Sequence, residues 1–154
     1  MSVLLFILDY VFFILVAASL VRAWMNVCRL RMSEQPGVFV MAITDWLVMP
    51  LRKTLPRRLA HAHFDWASVM AALMLALVFS VMVHAMSPVI AGLQALGWMI
   101  TIPFVALQFV LVTSLQVTMG LTLVYAVLSW VQPHAPVAHT LGRMVEPVLA
   151  PIRR

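Results

Sequence analysis

Three long apolar runs set the plan of this chain, each bounded by charge or by proline. The first covers about Val3 to Val21, the second about Trp66 to Met86, and the third lies within Ser87 to Val131. A helix rises about 1.5 Å per residue, so about 20 residues cross the roughly 30 Å of bilayer hydrocarbon. The first two runs fit single spans. The third has only Gly120 near its middle and no charge, which predicts one long span over about 103–131. An outer-surface or re-entrant piece over 88–101 would precede it. Shorter helices are expected between and after the runs, one carrying Trp46. In the other, Pro136 suits a first helical position, and Val137, Leu141, Met144, Val145 and Val148 share one face. His139, Arg143 and Glu146 take the opposite side. The predicted fold class is an all-α membrane protein with three transmembrane helices and two short interfacial amphipathic helices.

Composition agrees with the pattern: 64% of residues are hydrophobic and 10% charged, against about 25% charged in soluble domains. From Trp66 to Gly142 there is no Asp, Glu, Lys or Arg, which excludes an ordinary soluble enzyme. The net charge of +5 does not point to nucleic acid, because the basic residues avoid the apolar runs. Arg22, Arg29, Arg31, Arg52, Lys53, Arg57 and Arg58 precede the second run, and Arg143, Arg153 and Arg154 follow the third. Kept on one side, they place the N-terminus outside and the C-terminus in the cytoplasm of a bacterial inner membrane. The N-terminal run has no preceding positive charge and is too long for a signal-peptide core. Trp24, Trp66 and Trp130 fall at the proposed inner ends of the spans and Trp98 near the outer face. Phosphate-loop, nucleophile-elbow and paired-cysteine motifs are absent, so neither an enzyme nor a cofactor is expected. The lone Cys28 excludes an intrachain disulfide and reads as a buried or inert thiol.

The two inner segments resemble each other. Asp45-Trp46-Leu47-Val48-Met49-Pro50-Leu51-Arg52-Lys53 aligns with Glu146-Pro147-Val148-Leu149-Ala150-Pro151-Ile152-Arg153-Arg154. Upstream, Val21-Arg22-Ala23-Trp24 roughly matches Val127-Leu128-Ser129-Trp130. Two units follow: residues 1–86, with spans over 3–21 and 66–86 around a cytoplasmic segment 22–65, and residues 87–154, with a span over 103–131 and a tail over 132–154. Each unit is a span, a turn, a short helix and a Pro-aliphatic-basic-basic tail.

LVRAWM, TDWLVMPLRKTLP, FDWAS, LSWVQ and EPVLAPIRR together resemble the YggT family of small bacterial membrane proteins, related to the plastid YlmG proteins. The resemblance covers nearly the whole chain and implies no catalytic residues. It implies loose links to osmotic-stress tolerance, division-site and nucleoid organisation, and assembly of photosynthetic or cytochrome complexes. In that family the second basic pair is followed by Leu-Pro, a Gly-Asp-Ser turn and a fourth span, so the second unit is expected to be cut short. Asp65 and Ser68 match the family's Asp-x-x-Ser turn.

Candidate residues fall into three groups. Arg52, Lys53, Arg57, Arg58, Arg143, Arg153 and Arg154 could bind anionic headgroups or a partner, each lipid contact contributing about 1 kcal/mol, or serve only to fix topology. Arg22 and Arg29 are expected to snorkel from the first span. Ser68, Ala72, Ala76, Ser80 and His84 recur every four residues in the second span, a spacing that lets helices approach closely; Asp65 suits the cap before them. Asp9, His84, Gln108 and Gln116 are polar residues inside spans, with His84 expected to hydrogen-bond Asp9. His61, His63 and Asp65 could face one way, but no fourth ligand stands nearby and a metal site is not expected. The reading that follows is a non-enzymatic interaction, assembly or membrane-organisation factor. Its partners would be anionic lipid and other membrane proteins or further copies of itself. The alternative is a small channel or transporter subunit with a polar path around Asp9, His84 and Gln108.

Overall fold

The computed structural model describes residues 2–30, 37–54, 65–86, 95–132 and 136–150. Among them every regular element is an α-helix: α1 Ser2–Val27, α2 Gly37–Thr54, α3 Trp66–Met86, α4 Ala95–Val131 and α5 Pro136–Leu149. Three are long and apolar enough to cross a membrane, over Val3–Val27, Trp66–Met86 and Met99–Val131. They form a bundle in which α3 packs most extensively against both α1 and α4. At 21 residues, α3 is about 31 Å long, which matches the hydrocarbon.

The close packing of α3 follows from its small residues. Ala67, Ser68, Ala71, Ala72, Ala76 and Ser80 are all buried, and His84 is half-buried at the far end. Ala72, Leu75 and Ala76 meet Val16 of α1 and Ala106 and Val110 of α4. Phe79 fills the space beyond, its ring centroid 5.4 Å from Phe12 and 4.7 Å from Phe109. Several hydroxyls inside the spans are satisfied by their own helices, whereas the buried Ser80 Oγ has no partner among the described residues. Ser19 donates to the Leu15 carbonyl, and Ser114, Thr118 and Thr122 donate to Leu111, Ser114 and Thr118, so none of these donors is left unpaired in lipid.

Two expectations about the long helices are corrected. Residues 95–101 are no separate re-entrant piece; they form the first turns of α4, which runs through Pro103 without a break. Residues 88–94 lie outside the described residues. Helix α1 does not stop at Val21 but continues to Val27, because Arg22 does not meet solvent there.

The tryptophans also differ from a single belt. Trp24 shares a cleft with Leu121 of α4, so Trp130, nine residues further on, projects about 13 Å beyond that level. It is 94% exposed. The Trp98 side chain lies outside what the structure describes.

The short helices pack onto this end of the bundle. Helix α2 lays Val48 on Ala67 and Ala71 of α3, with Leu47 and Leu51 beside them. Pro50 is inside α2, and Arg52 and Lys53 form its last turn rather than a tail beyond it. Helix α5 begins at Pro136 and buries Ala138, Leu141, Met144 and Val145, while His139, Arg143 and Glu146 are exposed. Leu141 and Met144 pack against Met25 of α1, next to Leu121, Tyr125 and Leu128 of α4. Gly142 permits this approach: a Cβ there would lie 3.1 Å from the Tyr125 ring. The Trp24 indole N–H donates to the Met144 carbonyl at 3.0 Å, tying α5 to α1.

Candidate functional site

A buried charge network stands where α1, α2 and α3 converge. Arg22 on α1 is 5% exposed. Its Nη1 donates to Thr44 Oγ1 at 2.8 Å and to Asp45 Oδ1 at 2.6 Å, both on α2. Its Nε lies 4.0 Å from Asp65 Oδ2. Asp65, 6% exposed, accepts from Arg52 Nη2 at 3.2 Å on both carboxylate oxygens. The hydroxyl of Ser68 donates to Asp65 Oδ2 at 2.8 Å. Two guanidinium groups therefore face two carboxylates across three helices.

Local sequence explains each position. Asp65 precedes the first residue of α3, and its carbonyl receives the Ser68 and Val69 amides, so it caps the helix with backbone and side chain together. Thr44 returns its own proton to the Val40 carbonyl at 2.8 Å, leaving its lone pairs to Arg22. Asp45 follows Thr44 and keeps a third of its side chain in contact with solvent. Arg52 is one of the cations at the end of α2.

The network sets the electrostatics of Asp65. Burial alone pushes its carboxyl up. Hydrogen bonds from Ser68 and the charge and hydrogen bond of Arg52 outweigh that and hold it below the ordinary carboxylate range. Nearby, burial raises the Cys28 thiol, partly offset by Arg143. An acid held ionised beside two guanidinium groups is a poor general base.

The sequence-predicted residues are distributed differently. Arg22 does not snorkel; it is sealed in the network. Arg29 is exposed at the end of α1. Arg52 is exposed but spends its charge on Asp65, whereas Lys53 and Arg143 are simply exposed. His84 does not reach Asp9: its Nδ1 donates to the Ser80 carbonyl at 2.8 Å. Asp9 and Gln116 instead line one cleft of about 290 Å3 between α1 and α4, with Tyr10 and Thr113, and Gln108 is exposed one turn away. Arg57, Arg58, His61, His63, Arg153 and Arg154 lie outside the described residues. Among the described residues, no group of three or more His, Cys, Asp or Glu could hold a metal ion.

Sequence reasoning found the cap but missed the network. A signal was present: two of the five acidic residues, Asp45 and Asp65, each stand directly before a tryptophan.

Comparison with known proteins places these features. The CCB3/YggT family matches residues 1–86 and 104–154. The chain is 26% identical to "Uncharacterized protein YggT" of Escherichia coli K12, over all of this chain and 76% of that protein. It is 24% identical to "Uncharacterized protein in proC 3'region" of Vibrio alginolyticus, over all of this chain and 80% of that one. No solved structure matches. With most of its length matched and three helices fit to span a membrane, the chain belongs to the CCB3/YggT family of membrane proteins.

Proposed function

We propose that this protein is a non-enzymatic interaction and assembly factor of the bacterial inner membrane. Its working surface is the end of the bundle where α2 and α5 meet the spans. In this reading that end is cytoplasmic, the N-terminus is outside, and the two short helices lie at the inner headgroup level. Each long helix, α1 and α4, is followed by a short one packed back on its end, which supports two related units.

The observation that carries the proposal is the charge network. It turns α2 into a fixed bracket, with Val40, Thr44 and Val48 inward and Phe39, Trp46, Met49 and Lys53 outward. An aromatic, apolar face ending in a cation suits the boundary between anionic headgroups and acyl chains, or a partner helix lying there. Arg143 and Lys53 supply exposed positive charge, each contributing about 1 kcal/mol near an anionic surface. A stress phenotype of the kind linked to the family would follow from failed assembly, without any transported solute.

The test is co-purification from native membranes with Trp46→Ser, Lys53→Gln and Arg143→Gln combined, leaving Arg22, Asp45 and Asp65 intact. The expected result is loss of the co-purifying proteins and of retained anionic lipid, with unchanged helix content and melting. An unaltered set of partners and lipids would refute this surface. Ion flux in liposomes that disappears on Asp9→Asn would favour a channel instead.

A further inference from the structure

The two short helices stand at the same end of the bundle but turn opposite chemistry outward. Helix α5 is an ordinary amphipath: it buries Ala138, Leu141, Met144 and Val145 and exposes His139, Arg143 and Glu146. Helix α2 is reversed. Its inward side carries Thr44, with Asp45 at the edge, in the grip of Arg22, whereas Val38, Phe39, Ala42, Trp46 and Met49 are exposed. No charge stands on that outward stripe before the last turn, where Arg52 and Lys53 lie. Water disfavours an outward face of this kind, and hydrocarbon suits it.

Depth separates the two helices in the same way. Phe79 meets both Phe12 and Phe109, so these residues mark one level across the three spans. Trp66, the first residue of α3, is thirteen residues from Phe79; Met25 is thirteen from Phe12, and Leu121 twelve from Phe109. Trp66, Met25 and Leu121 therefore share a second level about 20 Å away, at one border of the hydrocarbon that α3 spans. Helix α5 packs on Met25 beside Leu121, Tyr125 and Leu128, from that border to about 9 Å beyond it. Helix α2 lies on the other side of the border. Val48 packs on Ala67 and Ala71, about 2–8 Å inside it, and Leu47 also packs against the core cluster of Val16, Ala72, Leu75 and Ala76. Arg52 returns to the border at Asp65. Helix α2 packs against α1 and α3, a flank that the first unit completes by itself.

We infer that α2 is immersed in the acyl chains of the leaflet at the Trp24 end, with Lys53 at the phosphates, while the outward face of α5 stands in water. The occupant of the aromatic face of α2 is phospholipid. Its depth is that of helices sunk about 5–10 Å into the boundary between headgroups and chains. Here the helix is held at that depth by its neighbours in the bundle, and its apolar side faces away from them. The inference deepens the function proposed above, which leaves lipid or a partner helix on this face, and rests on that reading only for which leaflet is the inner one.

The experiment uses the full chain with Cys28→Ser and one added cysteine carrying an environment-sensitive fluorophore, in vesicles of phosphatidylcholine and phosphatidylglycerol. A label at Met49→Cys is expected to be quenched by brominated acyl chains as strongly as one at Met74→Cys, exposed on α3, and to be shielded from iodide present on both sides. A label at Arg143→Cys should show the opposite pattern. In native membranes, a photoreactive side chain at position 49 is expected to yield lipid adducts. Iodide quenching at Met49→Cys equal to that at Arg143→Cys, or a defined protein adduct from position 49, would overturn the inference. Lipid contact at position 49 with unaltered partners in the co-purification above would uphold it and remove the assembly reading instead.

Discussion

Arg29 has a backbone φ of 52°, in the left-handed region that an L-residue enters only with strain. It does so because α1 ends in a reverse turn: the Leu30 amide donates to the Met25 carbonyl and the Arg29 amide to the Asn26 carbonyl, both at 3.0 Å. This is the paired bonding that usually places glycine at such a position. Leu30 then packs beside Met25. Arg29→Gly should therefore stabilise the protein by roughly 1 kcal/mol, and Arg29→Ala, which keeps the strain, should not. A denaturant titration in detergent separates the two. Asp65 allows a second residue-scale prediction, in pH. Its carboxyl is held low in the folded protein, so its contribution to stability is complete above the ordinary carboxylate value of about 4. It is lost as pH falls through the lower folded value. Asp65→Asn should melt earlier at neutral pH and flatten the acid limb of a melting-temperature profile. An unchanged acid limb would mean that another group controls it. The Asp65 cap was readable from sequence because capping is local. The pairing of Arg22 with Asp45 and Asp65 was not, because contacts across twenty or forty residues leave no period to read.

At the scale of elements, α2 is held by two kinds of contact: the apolar strip on α3 and the grip of Arg22. An arginine buried to this degree is tolerated only with its partners, and deleting one member of such a pair typically costs about 3–5 kcal/mol. Arg22→Met should therefore destabilise the molecule, and its effect should be greatest locally. Amide exchange across 37–54 is expected to accelerate before exchange in 66–86 does, because α3 retains its packing on α1 and α4. Uniform acceleration in both would show that the network supports the whole bundle. Helix boundaries show the same division between local and distant causes. The limits of α3 follow from an acidic cap and a charge-free run, so 66–86 is legible at both ends. The true end of α1 is hidden because Arg22 reads as a membrane border until its carboxylate partners are known. The start of α4 is hidden because Pro103 reads as a first residue, although a continuous helix accommodates it.

Across the whole molecule, neutralising Arg22 and Arg52 internally changes which charges can orient the chain. Among the described residues, Arg29, Lys53 and Arg143 are exposed cations without a carboxylate partner, and all three lie at the Trp24 end, at the close of α1 and on the short helices. Positive charge retained in the cytoplasm thus orients all three spans at once, since α1 and α4 run toward that end and α3 away from it. The opposite end of α4 gives the complementary marker. Met99 is exposed and lies nine residues beyond Gln108, about 13 Å further toward that face, which carries it past the hydrocarbon. In a Cys28→Ser background, Met99→Cys should react with a membrane-impermeant maleimide on intact cells. Lys53→Cys should react only after the membrane is opened. The reverse pattern would invert the proposed orientation. Reaction of both from outside would mean that α3, the span between them, does not carry the chain across the membrane.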